Sequence, residues 1–517
     1  MAMTTEQFVE MVSRLEEYAG REPKKYRLRV GLLAALGYAY ILFVLGVVVA
    51  LLYLLVWLTF MGGRFNVWVL KFGWVLLVLA WFVLRSLWIK IPAPEGVRLT
   101  REEAPGLFAL ADEIAEKLEA PRPHVIQVDG DFNASIAQVP RLGPFGWHRN
   151  YLTVGLPLIQ ALTPEQFRAV LAHELGHLSG NHGRFGSWIY RVRLSWVQLL
   201  TRLEREEHWG SFIFDRFVNW FAPYFDAYSF VLARLHEYDA DRASARLTSP
   251  REAAVALAAV GVKGAYLSEK YWPEIFKRAE EQREPTAGAF AGMWPALRAG
   301  VAPQEARAYL LGSLARETGY GDTHPSLKDR LAALGLAPTE LDKLAEEVAR
   351  KGEDGGGETA AEHYLGELRG QLSRRLDAEW CQGIEPSWRE RHEYVTQSKR
   401  GLAALEEKAR TKELSDEEAW QRAEWTAEFK GLNEAVPLLR ELTGRRRTAA
   451  AAHSMLGQIL IAREDAEGVE HLEKAMAADP DYVPAACQVL YGFMRSQGRD
   501  DEAEAYRRRL LRHIDSA

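Results

Sequence analysis

From Val30 to Phe60 the chain carries no charged residue. Such a stretch offers water almost nothing to solvate, and it exceeds the roughly 20 residues that cross a bilayer, so it predicts a membrane helix that tilts or ends among the headgroups. A second apolar run, Phe65 to Leu84, is interrupted only by Lys71 near its start, where a long side chain can snorkel to the interface. Met61-Gly62-Gly63-Arg64 leaves room for a tight turn alone, so residues 30–91 read as a transmembrane helical hairpin, with Trp57, Trp68, Trp81 and Trp88 near its boundaries. Arg14, Arg21, Lys24, Lys25, Arg27 and Arg29 precede it and Arg85, Lys90 and Arg98 follow, against Arg64 alone in the turn. That bias places the N-terminal segment 1–29 and everything after the hairpin in the cytoplasm, where the basic residues can also touch anionic lipid. The apolar core begins too late and runs too long for a cleaved signal peptide.

His173-Glu174-Leu175-Gly176-His177 places two imidazoles one helical turn apart, with a carboxylate between them. Residues four apart share a helix face, so His173 and His177 can hold one cation while Glu174 points toward a water on its open side, the pattern of a zinc hydrolase. The helix is marked independently. Thr163 is a candidate N-cap, Pro164 occupies the first helical position, Gln166 completes a near capping box, and Phe167, Val170, Leu171, Leu175 and Leu178 recur at helical spacing. A tetrahedral catalytic zinc needs a third protein ligand and an open position. Gly180 and His182 approximate the longer pattern that adds a third histidine, but its last position is occupied by Gly183. The better candidate is Glu237, sixty residues beyond His177, with Asp241 on the same helix face. Glu237 then binds zinc and Asp241 accepts the free ring N–H of a ligand histidine.

In order, Asn133-Ala134, the strand-like Tyr151-Leu152-Thr153-Val154, His173-Glu174-x-x-His177, Glu237-x-x-x-Asp241 and His324-Pro325-x-x-x-x-Arg330 resemble the HtpX-like and CAAX-protease-related membrane metallopeptidases of the gluzincin type, over roughly residues 30 to 340. Ser135-Ile136-Ala137 departs from the aromatic-containing segment usual there. The resemblance implies a zincin-type α+β metalloprotease domain with a small sheet, one Zn2+ per chain, and an endopeptidase in which Glu174 is the general base and His324 stabilises the oxyanion. It also implies that Asn133 clamps a peptide substrate; a turn residue after Asp129-Gly130-Asp131 is the other reading. His324 before Pro325 can equally cap the next helix, and Arg330 can reach back to a carboxylate of the site or lie on a surface. Tyr151 to Val154, Tyr151 and Thr153 included, is expected to offer an open strand edge to substrate.

The remaining chain is expected to be all α, for a mainly α protein overall. Residues 92–350 form the peptidase domain; the Gly-rich stretch within 351–360 reads as a linker, 361–444 as a helical domain with Trp380, Trp388, Trp420 and Trp425 as anchors, and 445–517 as tetratricopeptide-like repeats. Gly468, Leu472, Ala475 and Pro480 match one repeat and Gly498 to Ala503 opens the second helix of another, whereas Arg507 and Leu510 depart from the pattern. Such a surface can bind a protein partner or serve as a structural cap. Between the zinc motifs, Trp188 to Leu200 and Phe212 to Leu232 are aromatic and apolar but contain Arg191, Arg193, Asp215, Arg216 and Asp226, with Pro223 a predicted break. They suit amphipathic helices at the cleft or bilayer interface, or internal packing. Cys381 and Cys487 lack metal-ligand spacing, and the net charge of -6 gives no reason to expect nucleic acid. The expectation is a membrane-anchored zinc endopeptidase acting on protein or peptide substrates, in membrane-protein quality control; the alternative is a membrane-anchored helical-repeat adaptor with a silent zincin domain.

Overall fold

The computed structural model describes residues 4–62, 67–87, 92–141, 147–179, 185–186, 188–189, 192, 196, 211–316, 318, 324–337, 340–349 and 357–516. They are mainly helical, with one small mixed sheet. Two compact units are distinguished, one built on Glu10–Ile275 and Thr286–Gly383, the other on Phe276–Pro285 and Ile384–Ala517 with a few residues from the start of the chain.

In the first unit, α1 (Thr5–Arg21) leads into α2 (Pro23–Gly62), which is followed by α3 (Val67–Leu87). The charge-free stretch lies within α2, which contains an 18-residue window with a mean hydropathy of 3.0 that is little covered by the rest of the chain. Among the described residues it is the one helix long and apolar enough to cross a membrane; the apolar part of α3, Val69–Trp81, is shorter than the hairpin reading requires. The turn residues of that hairpin fall outside the described residues.

The sheet has the order β1-β2-β4-β3, from β1 (Val97–Leu99), β2 (Val125–Asp129), β3 (Ala134–Pro140) and β4 (His148–Gly155). β2 and β4 are parallel, with Ile126 opposite Leu152, and β3 is antiparallel to β4, with Ser135 opposite Thr153. The predicted strand Tyr151 to Val154 is therefore interior. Tyr151 and Thr153 are buried, and Thr153 Oγ1 accepts a hydrogen bond from Gln127 at 3.1 Å. The expected open edge belongs to β3, because both main-chain edges of β4 are occupied by neighbouring strands. Gly155 ends β4 where a Cβ would lie 1.6 Å from the Asp131 carbonyl oxygen, so no side chain fits there.

Two helices cross on one side of this sheet domain, α6 (Pro164–Gly176) and α7 (Ser211–Leu247), after the short α5 (Leu156–Ala161) and with α8 (Pro250–Tyr266) packed beside them. Thr163 and Gln166 form the reciprocal capping box at the start of α6. Pro223 lies inside α7 and does not end it. Its missing N–H is offset by aromatic packing: Phe217 stacks on Tyr40 of α2 at 3.8 Å, Phe221 packs on Gly37 of α2, and Phe221 stacks on Phe225 within α7 at 5.2 Å. Internal packing thus accounts for the described part of the Phe212 to Leu232 stretch. The α1–α2 junction grips the same helix, through Tyr26 donating to the Tyr228 carbonyl at 2.7 Å, Arg27 on Asp239 at 2.6 Å and Arg234 on Glu16.

The predicted separation at 351–360 does not coincide with the boundary of this unit, which extends to Gly383. Thr359 caps the helix Ala360–Leu365 with Glu362, the Ala360 N–H donates to the Leu162 carbonyl at 2.8 Å, and Tyr364 packs on Phe167. Farther on, buried Asp377 accepts the Phe290 N–H at 2.7 Å, and Trp380 packs on Trp272. A polar helix surface conceals such contacts in sequence, because each partner is distant along the chain.

The second unit is all helical. Trp388 donates to the Gln282 carbonyl at 2.8 Å, and Trp425 sits over Gly401, where a Cβ would approach its ring to 2.6 Å. The helices Ala449–Ala462 and Glu467–Ala478 form a close pair, as do Val483–Ser496 and Asp500–Ser516. In the first pair a Cβ on Gly468 would lie 2.7 Å from the Gly457 carbonyl oxygen, while Leu472 and Ala475 are fully buried.

Candidate metal centre

α6 presents His173 in its last turn and His177 at its C-cap, and α7 presents Glu237 and Asp241. What lets the helices approach is Gly176, where a Cβ would lie 3.0 Å from Ala243 Cβ and 3.2 Å from Ala240 Cα. Ser244 ties the crossing further by donating to the Ala169 carbonyl at 2.7 Å. Neither contact was read from sequence; the small residues Ala240 and Ala243 opposite a helical glycine are the signal that could have found the first.

At the crossing, His173 Nε2 and His177 Nε2 are 3.3 Å apart, and each lies 3.5 Å from an oxygen of Glu237. The two 3.5 Å distances reach different oxygens, Oε2 from His173 and Oε1 from His177, and one donor atom from each of the three residues lies within 4.8 Å of the others, so the three side chains converge on space for one cation. Glu237 Oε2 is buried without a hydrogen bond of acceptable geometry, an acceptor that a cation would satisfy. His173, His177 and Glu237 form the one such three-residue cluster among the described residues.

The supporting shell fixes protons. His173 Nδ1 donates to Asp241 Oδ1 at 2.9 Å, so Nε2, on the Glu237 side, is the nitrogen that would offer a lone pair to a cation once its proton is released. Arg330 forks onto Asp241, with Nη2 to Oδ1 at 2.6 Å and Nε to Oδ2 at 2.8 Å, and is largely buried rather than on a surface. Burial opposes a charged His173, but its bonds to Asp241 and Glu237 outweigh this and hold its pKa at about 9, so cation binding there releases a proton. Burial and the charge of His173 push His177 down to about 4, leaving it an acceptor at neutral pH. Burial would also raise Glu237 and Asp241, yet both are held below the usual carboxylate range, Glu237 by His173 and His324, Asp241 by Arg330 and His173. Glu174 differs. Burial, with the charge of Glu237 adding to it, lifts its pKa to about 7, and it makes no hydrogen bond among the described residues.

His324 is mostly exposed, with Nδ1 3.0 Å from Glu237 Oε2. Ser326, not His324, caps the helix Leu327–Ala333. Asn133 is exposed at the start of β3, and its carbonyl accepts the Gly155 N–H at 2.7 Å. Gly180 and His182, which approximate the longer three-histidine pattern, lie outside the described residues.

Residues 103–336, which contain the whole cluster, match peptidase family M48. Over that stretch, somewhat under half of its length, the chain is similar to the M48 peptidase domain. The M48 domain is a zincin-type metallopeptidase domain, and its match takes in α4 (Pro105–Lys117), the sheet from β2 onward and the helix Leu327–Ala333 that supplies Arg330. M48 peptidases are zinc-dependent, in keeping with the donor set at the α6–α7 crossing. Comparisons with curated proteins and with solved structures return no match.

Proposed function

We propose that this chain is a membrane-anchored zinc endopeptidase of the HtpX-like kind that cleaves membrane or misassembled proteins on the cytoplasmic side. The observation that carries the reading is the convergence of His173, His177 and Glu237, with donor atoms within 4.8 Å of one another, and the unbonded Glu174 carboxylate beside them. A zinc ion held by those three side chains supplies Lewis acidity, which polarises a peptide carbonyl and makes water a nucleophile near neutral pH. Glu174, with its pKa at about 7, is matched to take a proton from water and deliver it to the departing amine. His324, exposed beside Glu237, acts as a donor toward the developing oxyanion, and loss of such a donor typically costs about 3 kcal/mol of barrier. Asp241 and Arg330 orient His173 and do not touch the reacting atoms. An extended substrate adds to β3, the strand that Asn133 opens, through main-chain hydrogen bonds that favour no particular sequence.

The membrane side of the reading is supported by the long exposed apolar face of α2 and by the basic residues at its Pro23 end. The paired helices of the second unit, with Gly468, Leu472, Ala475 and Pro480 at tetratricopeptide-like positions, serve to recruit a protein partner or substrate. Nothing favours the silent-adaptor alternative, since every residue the chemistry requires is retained. The test is Glu174→Gln in the full chain. Casein or membrane-protein cleavage is expected to fall by about 100-fold or more, within the range general acid–base catalysis contributes, with bound zinc unchanged near one per chain. Equal turnover in the variant, or turnover insensitive to chelation, rejects the endopeptidase reading.

A further inference from the structure

Apart from the metal centre, α2 and α7 enclose a groove of about 410 Å³, lined by Arg29, Leu32, Leu36, Trp220, Phe221 and Tyr224 among others. This volume falls within the roughly 300–1,000 Å³ of small-molecule sites. Its walls are apolar and open outward: Leu32 is 61% exposed and Trp220 54%. The far end is closed where Phe221 packs on Gly37, a position at which a Cβ would lie 2.9 Å from the ring.

On α2 the charges are all at the other end, while α7 carries the exposed Arg216 one residue before Phe217. Lys25 pairs with Glu22 and Arg27 with Asp239, whereas Arg29 rests over the Tyr18 ring at 4.5 Å and makes no ion pair among the described residues. Arg29 is also the last charged residue before the apolar stretch of α2. Seven residues of helix separate it from Leu36, about 10 Å at 1.5 Å per residue, so the groove runs from the depth of a headgroup into the depth of the hydrocarbon. Trp220 and Tyr224 stand on its rim, the side-chain types that favour that boundary.

We propose that this groove is a binding site for one anionic phospholipid, its phosphate at Arg29 and an acyl chain along Leu32, Leu36, Trp220 and Phe221. The proposal rests on the membrane anchoring inferred above. Charge complementarity selects the occupant: a cation with no carboxylate partner sits at headgroup depth, and an apolar segment of a substrate protein would bring no anion to meet it.

The test uses the full chain mixed with vesicles of phosphatidylcholine and phosphatidylglycerol, followed by flotation, gentle detergent extraction and native mass spectrometry of retained lipid. Wild type is expected to float and to retain phosphatidylglycerol over phosphatidylcholine by about fivefold, the contribution of one basic residue near an anionic surface. Arg29→Gln brings that ratio close to one. Leu36→Trp fills the groove and lowers retention of both lipids, whereas Leu70→Trp, on α3 and outside the groove, changes neither. Flotation without headgroup preference, a preference that survives Arg29→Gln, or equal effects of the two tryptophan substitutions overturns the lipid site alone. A wild-type chain that stays at the bottom of the gradient overturns the site and the membrane reading together. A bound peptide or protein in place of lipid, displaced by Leu36→Trp, identifies a substrate exosite and also rejects the lipid.

Discussion

Two helix crossings in this chain use the same device for opposite ends. At the α6–α7 crossing Gly176 admits Ala240 and Ala243, and what gathers beside the contact is charged: His173, His177, Glu237, Asp241 and Arg330. At the crossing of Ala449–Ala462 with Glu467–Ala478, Gly457 and Gly468 admit one another, and what gathers is Ile461, Leu472 and Met476. Close packing of apolar groups stabilises by itself, whereas a buried charged cluster must be satisfied group by group and is strongly destabilised when one partner is removed. The first crossing is therefore expected to be held together partly by its metal, the second mainly by packing, with the His453–His471 contact at 2.7 Å as its polar member.

The sharpest way to break this comparison is to fill each glycine. Gly176→Val places atoms against the α7 backbone, and loss of stoichiometric zinc together with loss of all cleavage is expected, measured by metal analysis and turnover on folded protein. If zinc binds normally, the ligands do not depend on this approach. Asp241→Asn retains the crossing but weakens the orientation of His173; zinc affinity is expected to drop about 10–100-fold, read by competition with a chelating dye. Gly468→Ala should cost about 1–3 kcal/mol through overpacking, seen as a lower midpoint for the second unit, with zinc content and activity per folded molecule unchanged. Chelation sharpens the same contrast, since it is expected to lower the thermal midpoint of the M48 domain and leave that of the second unit in place.

A pH experiment separates the two further. In metal-free protein the Glu174 pKa is raised from 4.5 to about 7, so between those values the unfolded chain has released a proton that the folded chain retains. Stability must then fall as pH rises through that window, by at most roughly 3 kcal/mol from this group, and comparison with Glu174→Gln isolates its share. Identical pH slopes in the two proteins reject the raised value. The second unit, whose crossing holds the His453–His471 pair and not Glu174, should show no difference between them.

The site was legible in sequence where its logic is local. Thr163, Pro164 and Gln166 announce the start of α6 because a cap and its partner are three residues apart, and the i, i+4 spacing of Glu237 and Asp241 places them on one face. Strand order was not legible. Tyr151 to Val154 reads as an edge or as a centre with equal ease, since alternation reports burial and not which strand lies beside it. Pro223 was misread as a break because its local cost is visible, while the aromatic packing against α2 that offsets it is not. Residues 360–383 looked like the start of a separate domain for the same reason: Asp377 and Tyr364 find their partners about 90 and 200 residues away.

By itself, then, the order of residues determined what is decided within a few turns of chain: the long apolar helix, the capped helix with its two imidazoles and the acidic pair on one face. Tertiary structure alone decided that β4 is interior and β3 an edge strand among the described residues, that Arg330 is buried on Asp241, and that α2 grips the helix bearing Glu237. The physical reason is range. Propensity, capping and periodicity act over about one to four residues, whereas strand neighbours, ion pairs and a metal face arise from atoms that only the folded chain brings within a few ångströms.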